Sequence, residues 1–430
     1  MVKSKAYRAV SVKGVQVEKA LFGREGQAVE VGLDIGKAWI YAVVRFRDQT
    51  YLRPWQVGNP SEVLLLVNLL SQMSQRVKLT VGMESTGTYG DALRQAMSDA
   101  GLTLHRVSSK AAHDWSETFD GVPSQHDGKD AAIVAELCAL GKSSPWAFDR
   151  GSELEQEMAY WVDQADVCCR LHQFYCGRLE SRLARHWPEA TEVLKVSSGT
   201  LLRSLLHWGG PAALGADPQA ATTLRRFSHN LVEEQTIQKL IHQARQSVGV
   251  RLTSWDQRRM RDDAKAALAV RCQKRHATRH LAELSAKHPL LPALAKVVGV
   301  ATSCVLWVCV GDPRRYDSGA AYRKAMGLNL KERSSGQFKG QLRITKRGKS
   351  MARRFLYFAA MRYVKRPPVK AWYLEKKRRD GQEGMRGIVA VMRKLPLAVY
   401  AAAHGSAFDA AHLFQSVVKE ERAAAAVLRR

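Results

Sequence analysis

Acidic side chains are scarce in this 430-residue sequence, and their scarcity bears directly on function. Asp and Glu number 40 against 67 Lys and Arg, which gives a formal net charge of +27 and an isoelectric point near 10.0. Such an excess favours a polyanionic partner, and nucleic acid is the commonest polyanion that a soluble protein meets. An anionic membrane surface is the rival partner, but the termini show no amphipathic helix that would lie on one. A basic surface without a specific partner is the remaining alternative.

The sequence also lacks cysteine pairs and long apolar runs. None of its seven cysteines forms a C-x-x-C pair, which argues against a zinc knuckle and predicts reduced, buried thiols. The apolar runs 63–70 and 305–310 are too short to span a membrane. The basic N-terminus lacks the apolar region of a signal peptide. We therefore expect a cytoplasmic protein that does not bind a membrane.

Short strand and helix patterns alternate between residues 29 and 140, which predicts an α/β fold with at least one parallel crossover. The predicted strands cover residues 29–34, 39–46, 77–83 and 102–107. The predicted helices cover residues 59–70, 89–101 and 127–140. Ahead of this domain, residues 1–28 alternate basic and small side chains, so we expect them to form a loose basic arm.

The remainder of the chain is expected to be mostly helical. Ser152 and Glu155 have the spacing of a capping box, which predicts the start of a long helix. We expect a helical middle domain, either a coiled coil that joins protomers or a bundle packed on its own chain. In the C-terminal domain, residues 297–301 place a glycine between two apolar helices, like a helix-hairpin-helix that holds a phosphate. The predicted domains are 1–28, 29–150, 151–290, 291–405 and a tail, 406–430.

Four acidic residues form the candidate catalytic centre. Asp34 and Glu84 each end a predicted strand, and Asp127 and Asp130 lie three apart at the start of a helix, on one face of it. Carboxylates brought together in this way repel one another unless a divalent cation such as Mg²⁺ or Mn²⁺ lies between them. Each also has a plain structural explanation, as a turn residue, a surface acid or a helix cap. Their order and context together fit an RNase H-like nuclease centre.

Three motifs lie at each end of the chain. The N-terminal motifs are V-G-L-D-I-G-K (31–37), M-E-S-T-G-T-Y (83–89) and H-D-G-K-D-A-A-I-V-A-E-L (126–137). The C-terminal motifs are V-V-G-V-A (297–301), A-M-G-L-N-L-K-E-R-S-S-G (325–336) and I-T-K-R-G-K-S-M-A-R-R-F-L-Y-F-A-A (344–360). Together and in this order they resemble the motifs of the DEDD insertion-sequence transposases, the IS one-ten family. The similarity covers about residues 29–145 and 291–405 and leaves the middle unmatched.

The resemblance implies a RuvC-like N-terminal domain and a transposase that cuts and rejoins DNA in the bacterial cytoplasm, near the nucleoid. It implies that a C-terminal serine is the nucleophile that links to a DNA phosphate. That serine corresponds to Ser335, with Ser334 beside it as the alternative. It also implies a homo-oligomer, dimeric or tetrameric, with a composite site shared across protomers. A non-coding guide RNA is expected to choose donor and target DNA by base pairing.

A basic run in the C-terminal domain is the candidate nucleic-acid-binding segment. Residues 337–374 contain no acid, and we expect their cations to contact phosphates without sequence preference. The candidate residues are Lys339, Arg343, Lys346, Arg347, Lys349, Arg353 and Arg354. Aromatic residues interleave them, and we expect some of these to belong to the hydrophobic core rather than to stack on bases.

Three other functions remain open at the level of sequence. A RuvC-like endonuclease that hydrolyses branched DNA with water would share the four acids and need no serine. A phosphotransferase related to sugar and acetate kinases would use residues 34–36 as a phosphate loop, but the basic C-terminal domain would then be unexplained. A nucleic-acid-binding protein without catalysis would leave the acids unused.

Overall fold

The computed structural model describes residues 8–85, 87–116, 118–119, 126–146, 148–332 and 342–415. The chain divides into two compact units, unit 1 (Met1–Arg150) and unit 2 (Gly151–Arg430). The sequence predicted a boundary at the same place. The finer division of the second unit at residues 290 and 405 stays a prediction.

Unit 1 is built on a mixed sheet. The described strands are β1 (Val10–Ser11), β2 (Ala28–Ile35), β3 (Trp39–Phe46), β4 (Trp55–Gly58), β5 (Lys78–Glu84), β6 (Leu104–Val107) and β7 (Ser143–Pro145). They lie in the order β1-β4-β3-β2-β5-β6-β7. Strands β2, β5 and β6 run parallel, whereas β3 is antiparallel to both β2 and β4. Strand β7 is antiparallel to β6, and β1 is parallel to β4.

Five described helices accompany this sheet. They are α1 (Val17–Ala20), α2 (Val63–Ser74), α3 (Asp91–Asp99), α4 (Ser109–Ser116) and α5 (Asp127–Ala139). Alternate residues of β2, namely Val29, Val31 and Leu33, are buried in one core with the apolar side chains of α2 and α3. Helix α5 packs on the opposite face of the same strand. The predicted mixed α/β fold is thus observed, with parallel crossovers from β2 to β5 and from β5 to β6.

The expected loose arm over residues 1–28 is wrong for its described C-terminal part. Residues Val10–Ser11 pair with β4, and Val12, Val17 and Leu21 are buried in the core of unit 1. The segment carries four apolar residues at 10, 12, 15 and 17, which the high content of basic residues obscured. Its apolar side chains fold onto the sheet because burying them removes apolar surface from water.

Among its described residues, unit 2 is mostly helical and contains one small two-stranded sheet. Its described helices are α6 (Glu153–His186), α7 (Ala190–Val193), α8 (Gly199–Trp208), α9 (Pro211–Ala216), α10 (Ala220–Ser228), α11 (Glu234–Arg245), α12 (Ser254–Lys287), α13 (Leu291–Val298), α14 (Val300–Val310), α15 (Gly319–Ala325), α16 (Ser350–Tyr363), α17 (Pro367–Arg379), α18 (Gly384–Ala403) and α19 (Ala410–Leu413). The small sheet pairs β8 (Leu330–Lys331) with β9 (Arg343–Ile344). The predicted capping box of Ser152 and Glu155 is present at the start of α6.

Helices α6 and α12 form an antiparallel pair that contributes to two hydrophobic cores. The first half of α6, with Met158 and Val162, packs with α13, α14, α16 and α18. The second half, with Leu179 and Leu183, packs with α8, α10 and α11. Both helices thus pack within their own chain, and the two predicted alternatives for the middle region, a coiled coil between protomers and a bundle packed on its own chain, stay open predictions.

The two apolar helices predicted around Gly299 are observed as α13 and α14, joined by Gly299 alone, whereas their role as a helix-hairpin-helix that holds a phosphate stays a prediction. Gly299 adopts φ +83°, a conformation that glycine reaches without strain. The two helices are bent by 117° at this point. In the part of the chain that the structure describes, no single helix is long and apolar enough to cross a membrane. Taken together, the two helices of this bent pair have the length and apolar composition of a membrane span, and they are the one such pair among the described residues.

Candidate catalytic site

The two strand acids lie at the same edge of the sheet. Strands β2 and β5 are neighbours in parallel register, with Leu33 opposite Met83, so Asp34 and Glu84 each follow that pair by one residue. Both strands carry a glycine two residues before the acid, and these glycines, Gly32 and Gly82, are themselves paired. Because side chains alternate along a strand, each glycine lies on the same face as its acid.

The paired glycines allow α5 to lie unusually close to that face. A Cβ added to Gly32 would overlap the backbone of α5 at the carbonyl of Ala131 and the amide of Ala135. A Cβ on Gly82 would overlap the sulfur of Cys138, one turn further along α5. The close approach therefore requires glycine at position 32, where the overlap is with backbone atoms, and Gly82 leaves room for the Cys138 side chain. The approach brings the first turn of α5 towards the strand acids. Neither glycine was predicted to have a role, although the repeated pattern of a glycine two positions before an acid is visible in the sequence.

The first turn of α5 supplies the other two acids. The N-cap is His126, whose ring nitrogen accepts a hydrogen bond from Gly128 N at 3.1 Å. Asp127 is therefore not the N-cap, which removes one structural explanation for its presence. Asp127 is exposed and Asp130 is half-buried. Both lie where the positive end of the helix dipole stabilises negative charge.

Electrostatics indicate that the four carboxylates influence one another. The pKa of the Asp34 carboxyl is raised from 3.8 to about 6, chiefly because the group is partly buried. The next causes are the negative charges of Asp130, Asp127 and Glu84, in that order. Burial and then Asp127 also raise the pKa of Asp130. The fold thus concentrates negative charge at this edge of the sheet.

One cation is built into the same helical turn. Lys129 is only 2% exposed, although lysine is rarely buried to this extent. Its positive charge lowers the pKa of Asp130 and so opposes the effects of burial and of Asp127. Lys129 was not among the residues predicted from the sequence. Its place among the small and apolar side chains of α5 was the available signal.

The donor chemistry of the four acids fits a divalent metal. Among the described residues, no three His, Cys, Asp or Glu side chains lie close enough together to hold a metal as they are placed. The carboxylate oxygens are nevertheless the hard ligands that Mg²⁺ and Mn²⁺ prefer. Their mutual repulsion, expressed in the raised pKa of Asp34, is what a bound cation would relieve.

A polar clamp fixes α5 against the antiparallel part of the sheet. Glu136 of α5 accepts hydrogen bonds from Arg45 Nε and from the Tyr51 hydroxyl, each at 2.5 Å. Arg45 Nη1 also lies 3.5 Å from the carboxylate of Glu30 on β2. Breaking a largely buried ion pair leaves an uncompensated charge, so the clamp holds the register of α5 on the sheet. This clamp could not be recognised from sequence because its members are up to 106 positions apart.

The predicted nucleophile lies outside the described residues. Ser335, its neighbour Ser334 and the candidate phosphate contact Lys339 all fall within 333–341. In the chain this segment connects β8 to β9. The role of Ser335 therefore stays a prediction.

The remaining candidate cations of the basic run differ in their surroundings. Lys346, Arg347 and Lys349 are exposed, as expected of phosphate contacts, and Arg343 is exposed on β9. Two further candidates are instead used within the chain. Arg353 Nη1 donates hydrogen bonds to Met326 O at 3.1 Å and to Gly348 O at 2.8 Å, and Arg354 forms an ion pair with Asp166.

These contacts correct the prediction for Arg353 and Arg354. Both side chains are half-buried, and their bonds hold α16 to neighbouring parts of unit 2. We therefore remove both from the candidate interface. As expected, part of the aromatic set is core, since Tyr363 and Trp372 are each only 6% exposed.

Comparison with known proteins places this geometry in context. A family model described as a transposase of the DEDD type matches residues 31–173, which include all four acids. A second family model, described as the transposase IS116/IS110/IS902 family, matches residues 295–374. Together the matches cover just over half of the chain. The insertion element IS110 uncharacterized 43.6 kDa protein of Streptomyces coelicolor is 21% identical over 310 residues, covering 69% of this chain and 74% of that relative.

Proposed function

Because the chain belongs to the IS110 family of transposases, which makes it an enzyme of DNA cutting and rejoining, we propose a specific catalytic machinery for it. Asp34, Glu84, Asp127 and Asp130 hold the divalent metal that a DEDD domain implies, and the ion is Mg²⁺ or Mn²⁺. Ser335 is the nucleophile that attacks a DNA phosphate. What supports the metal centre is that the parallel strands β2 and β5, with α5 packed over Gly32, bring the four carboxylates near enough for Asp130, Asp127 and Glu84 to raise the pKa of Asp34.

We further propose that unit 1 has an RNase H-like, more narrowly RuvC-like, fold. The strand order supports this proposal. Three antiparallel strands, β4, β3 and β2, are followed across the sheet by β5 and β6, parallel to β2. In this arrangement the acids lie on the central strand, on its parallel neighbour and on the helix that packs across both.

In the proposed reaction the Ser335 oxygen forms an ester bond to phosphorus, and the bond from phosphorus to a deoxyribose oxygen breaks. The serine hydroxyl gives up its proton and the released sugar oxygen takes one up, so protons balance, and rejoining reverses these bond changes at a second DNA end. The metal would supply charge stabilisation for the nucleophile and for the leaving oxygen. The four carboxylates hold their negative charge at one edge of the sheet, where the helix dipole and Lys129 limit their repulsion.

Two partners beyond DNA complete the proposal. A homo-oligomer, dimeric or tetrameric, is supported by exposed apolar side chains on α6, where Leu171 is 40% and Phe174 is 55% exposed. A non-coding guide RNA would supply sequence choice by base pairing, while exposed cations such as Lys346 and Arg347 contact phosphates. The guide RNA rests on the family resemblance and on the positive charge of the chain.

An excision assay tests the proposed machinery. The gene is placed between its own flanking DNA, and circular junctions are measured for the wild type, Asp34→Ala, Ser335→Ala and Ser334→Ala. Glu25→Gln, an exposed acid outside the centre, is the matched control. We expect junctions from the wild type, the control and Ser334→Ala, and none from Asp34→Ala or Ser335→Ala.

Each other pattern assigns the chemistry differently. Junctions from Ser335→Ala but not from Ser334→Ala would move the nucleophile to Ser334. Junctions from both serine variants would refute a serine nucleophile and leave a cut by water. Activity in Asp34→Ala would remove the acidic centre from the mechanism.

A further inference from the structure

A group of cations lies in the middle of unit 2, on helices α8 and α12, which pack together next to α6. It comprises Arg203 of α8 and Arg271, Lys274 and Arg275 of α12, and we name it the middle basic surface; His172 of α6 lies beside it. Burial and then the charges of Arg271 and Arg275 lower the pKa of Arg203. Burial and then Lys274 and Arg271 lower the pKa of His172. These cations are therefore close enough to repel one another.

The acids that would compensate this charge are missing from the surrounding chain. Residues 167–179 of α6, 195–216 around α8 and 264–282 of α12 contain no Asp or Glu. Within the part of the chain that the structure describes, none of the four Lys and Arg residues of the surface has a carboxylate within 4.0 Å. Cations elsewhere on the same helices are paired, as Arg178 is with Asp263 at 3.1 Å.

The charges are held in place by backbone groups instead. Arg271 Nη1 donates to Ser197 O at 2.5 Å, and Arg203 Nη2 donates to Phe227 O. A carbonyl orients a guanidinium without neutralising it, so each keeps its full positive charge. Lys274 and Arg275 are exposed beside them. The surface therefore combines oriented guanidinium groups with solvent-accessible cations on successive turns of one helix.

Such an arrangement fits a ligand with repeated negative charges. Clustered cations without counter-charges raise the free energy of the folded chain, and a polyanion removes that cost while releasing its own counterions. A single small anion would neutralise only part of a surface that holds four cations on two helices. Residues 174–294, which carry most of this surface, lie between the two family matches. Neither match therefore accounts for it.

We propose that the middle basic surface binds the phosphate backbone of a nucleic-acid duplex, in addition to the contacts of residues 343–349. The identity of the polyanion rests on the proposed function, because the established family acts on DNA. The duplex is either DNA of the element or a helical stem of an RNA, and both present the same phosphodiester chemistry. Binding there is expected to be independent of base sequence.

A binding experiment with matched charge removal tests this inference. Lys274→Gln/Arg275→Gln is compared with Arg258→Gln/Arg259→Gln, in full-length protein that also carries Asp34→Ala to prevent cutting. The control changes the same helix by the same charge, but Arg258 faces Asp262 at 4.0 Å and Arg259 lies near Asp256. Affinity is measured by fluorescence anisotropy on a DNA duplex and on an RNA stem of equal length, between 50 and 200 mM salt.

The surface variant is expected to bind more weakly than the control and with a shallower dependence on salt. Each lost phosphate contact reduces the salt slope on DNA by about 0.9, so two contacts change the effect of salt over this range by about 12-fold. A loss of affinity for the DNA duplex alone, or for the RNA stem alone, identifies which duplex the surface binds. Equal affinities and equal slopes for the two variants would overturn the inference, as would failure of the parent protein to bind either duplex.

The inference and the proposed function can fail separately. Wild type that makes no excision junctions, combined with a selective loss in the surface variant, would refute the proposed function and keep the surface. Normal excision combined with identical binding by both variants would keep the proposed function and refute the role of the middle basic surface. Thermal unfolding of the two variants should match the wild type, because the substituted side chains are exposed.

Discussion

The contact between α5 and the sheet can be tested by a single methyl group, in Gly32→Ala. The added Cβ would overlap the Ala131 carbonyl and the Ala135 amide, which are backbone atoms in the middle of α5. These atoms cannot rotate away as the end of a flexible side chain could. The Cβ would lie 2.0 Å from Ala131 O, and real Cβ atoms essentially never lie closer than 3.0 Å to another heavy atom. Helix α5 would therefore have to move away from the sheet by about 1 Å.

The expected magnitude follows from the packing. Overpacking a well-filled interior costs about 1–3 kcal/mol, and rigid backbone on both sides places Gly32→Ala near the upper value. For a unit of this size, that cost lowers the unfolding temperature by about 6–12 °C. Catalysis should suffer more than stability, because a displacement of about 1 Å at a catalytic centre can reduce the rate by about 100-fold.

Thermal unfolding of the full chain and the excision assay measure the two effects. Gly14→Ala is the matched control, since a Cβ there meets nothing within 4 Å. We expect the control to behave like the wild type in both assays. Wild-type stability and wild-type excision in Gly32→Ala would show that α5 does not approach the sheet through this glycine, and the argument for convergence of the four acids would fail.

Two further predictions concern charge. With a chelator present, Asp34→Asn should be more stable than the wild type. The pKa of Asp34 is about 6 in the folded state and near 3.8 in the unfolded state, so ionising this carboxyl lowers the free energy of unfolding as the pH rises from 4 to 6. An asparagine cannot ionise and avoids this loss. The rise in this pKa corresponds to a loss of about 3 kcal/mol in the free energy of unfolding of the wild type, and solvent screening of this partly exposed group reduces the loss to about 1–2 kcal/mol. In thermal unfolding the advantage should be small near pH 4, grow up to about pH 6 and stay constant above it, and a less stable variant at pH 8 would contradict the prediction. Lys346→Gln/Arg347→Gln should weaken nucleic-acid binding equally for all sequences and flatten its salt dependence, whereas an altered sequence preference in competition binding would mean that these residues contact bases.

Local sequence patterns predicted much of the architecture because they depend on near neighbours. Strand β3 covers the predicted residues 39–46, and the long helix begins at the predicted capping box. Gly299 separates two helices, as expected from a glycine between apolar stretches. The family was also predicted from its motifs, and the family matches confirm it.

The expectations that failed or were missing depend on partners that are far apart in sequence. The basic composition of residues 1–28 concealed apolar side chains that only the sheet could bury. Arg354 looked like any other cation of the basic run, but Asp166, nearly two hundred positions earlier, pairs with it. Charge and spacing along the chain cannot distinguish a cation that faces solvent from one that is bonded within the fold.

The sequence by itself determined the chemical inventory of this protein: the four carboxylates, the excess of cations and the strand and helix patterns that carry them. Only the tertiary structure decided which of these groups meet. The paired Gly32 and Gly82 lie where α5 packs on the sheet, and the packing of α8 on α12 brings the cations of these two helices together. The physical reason is that secondary structure follows from local periodicity, whereas proximity between distant groups follows from close packing, which no local pattern encodes.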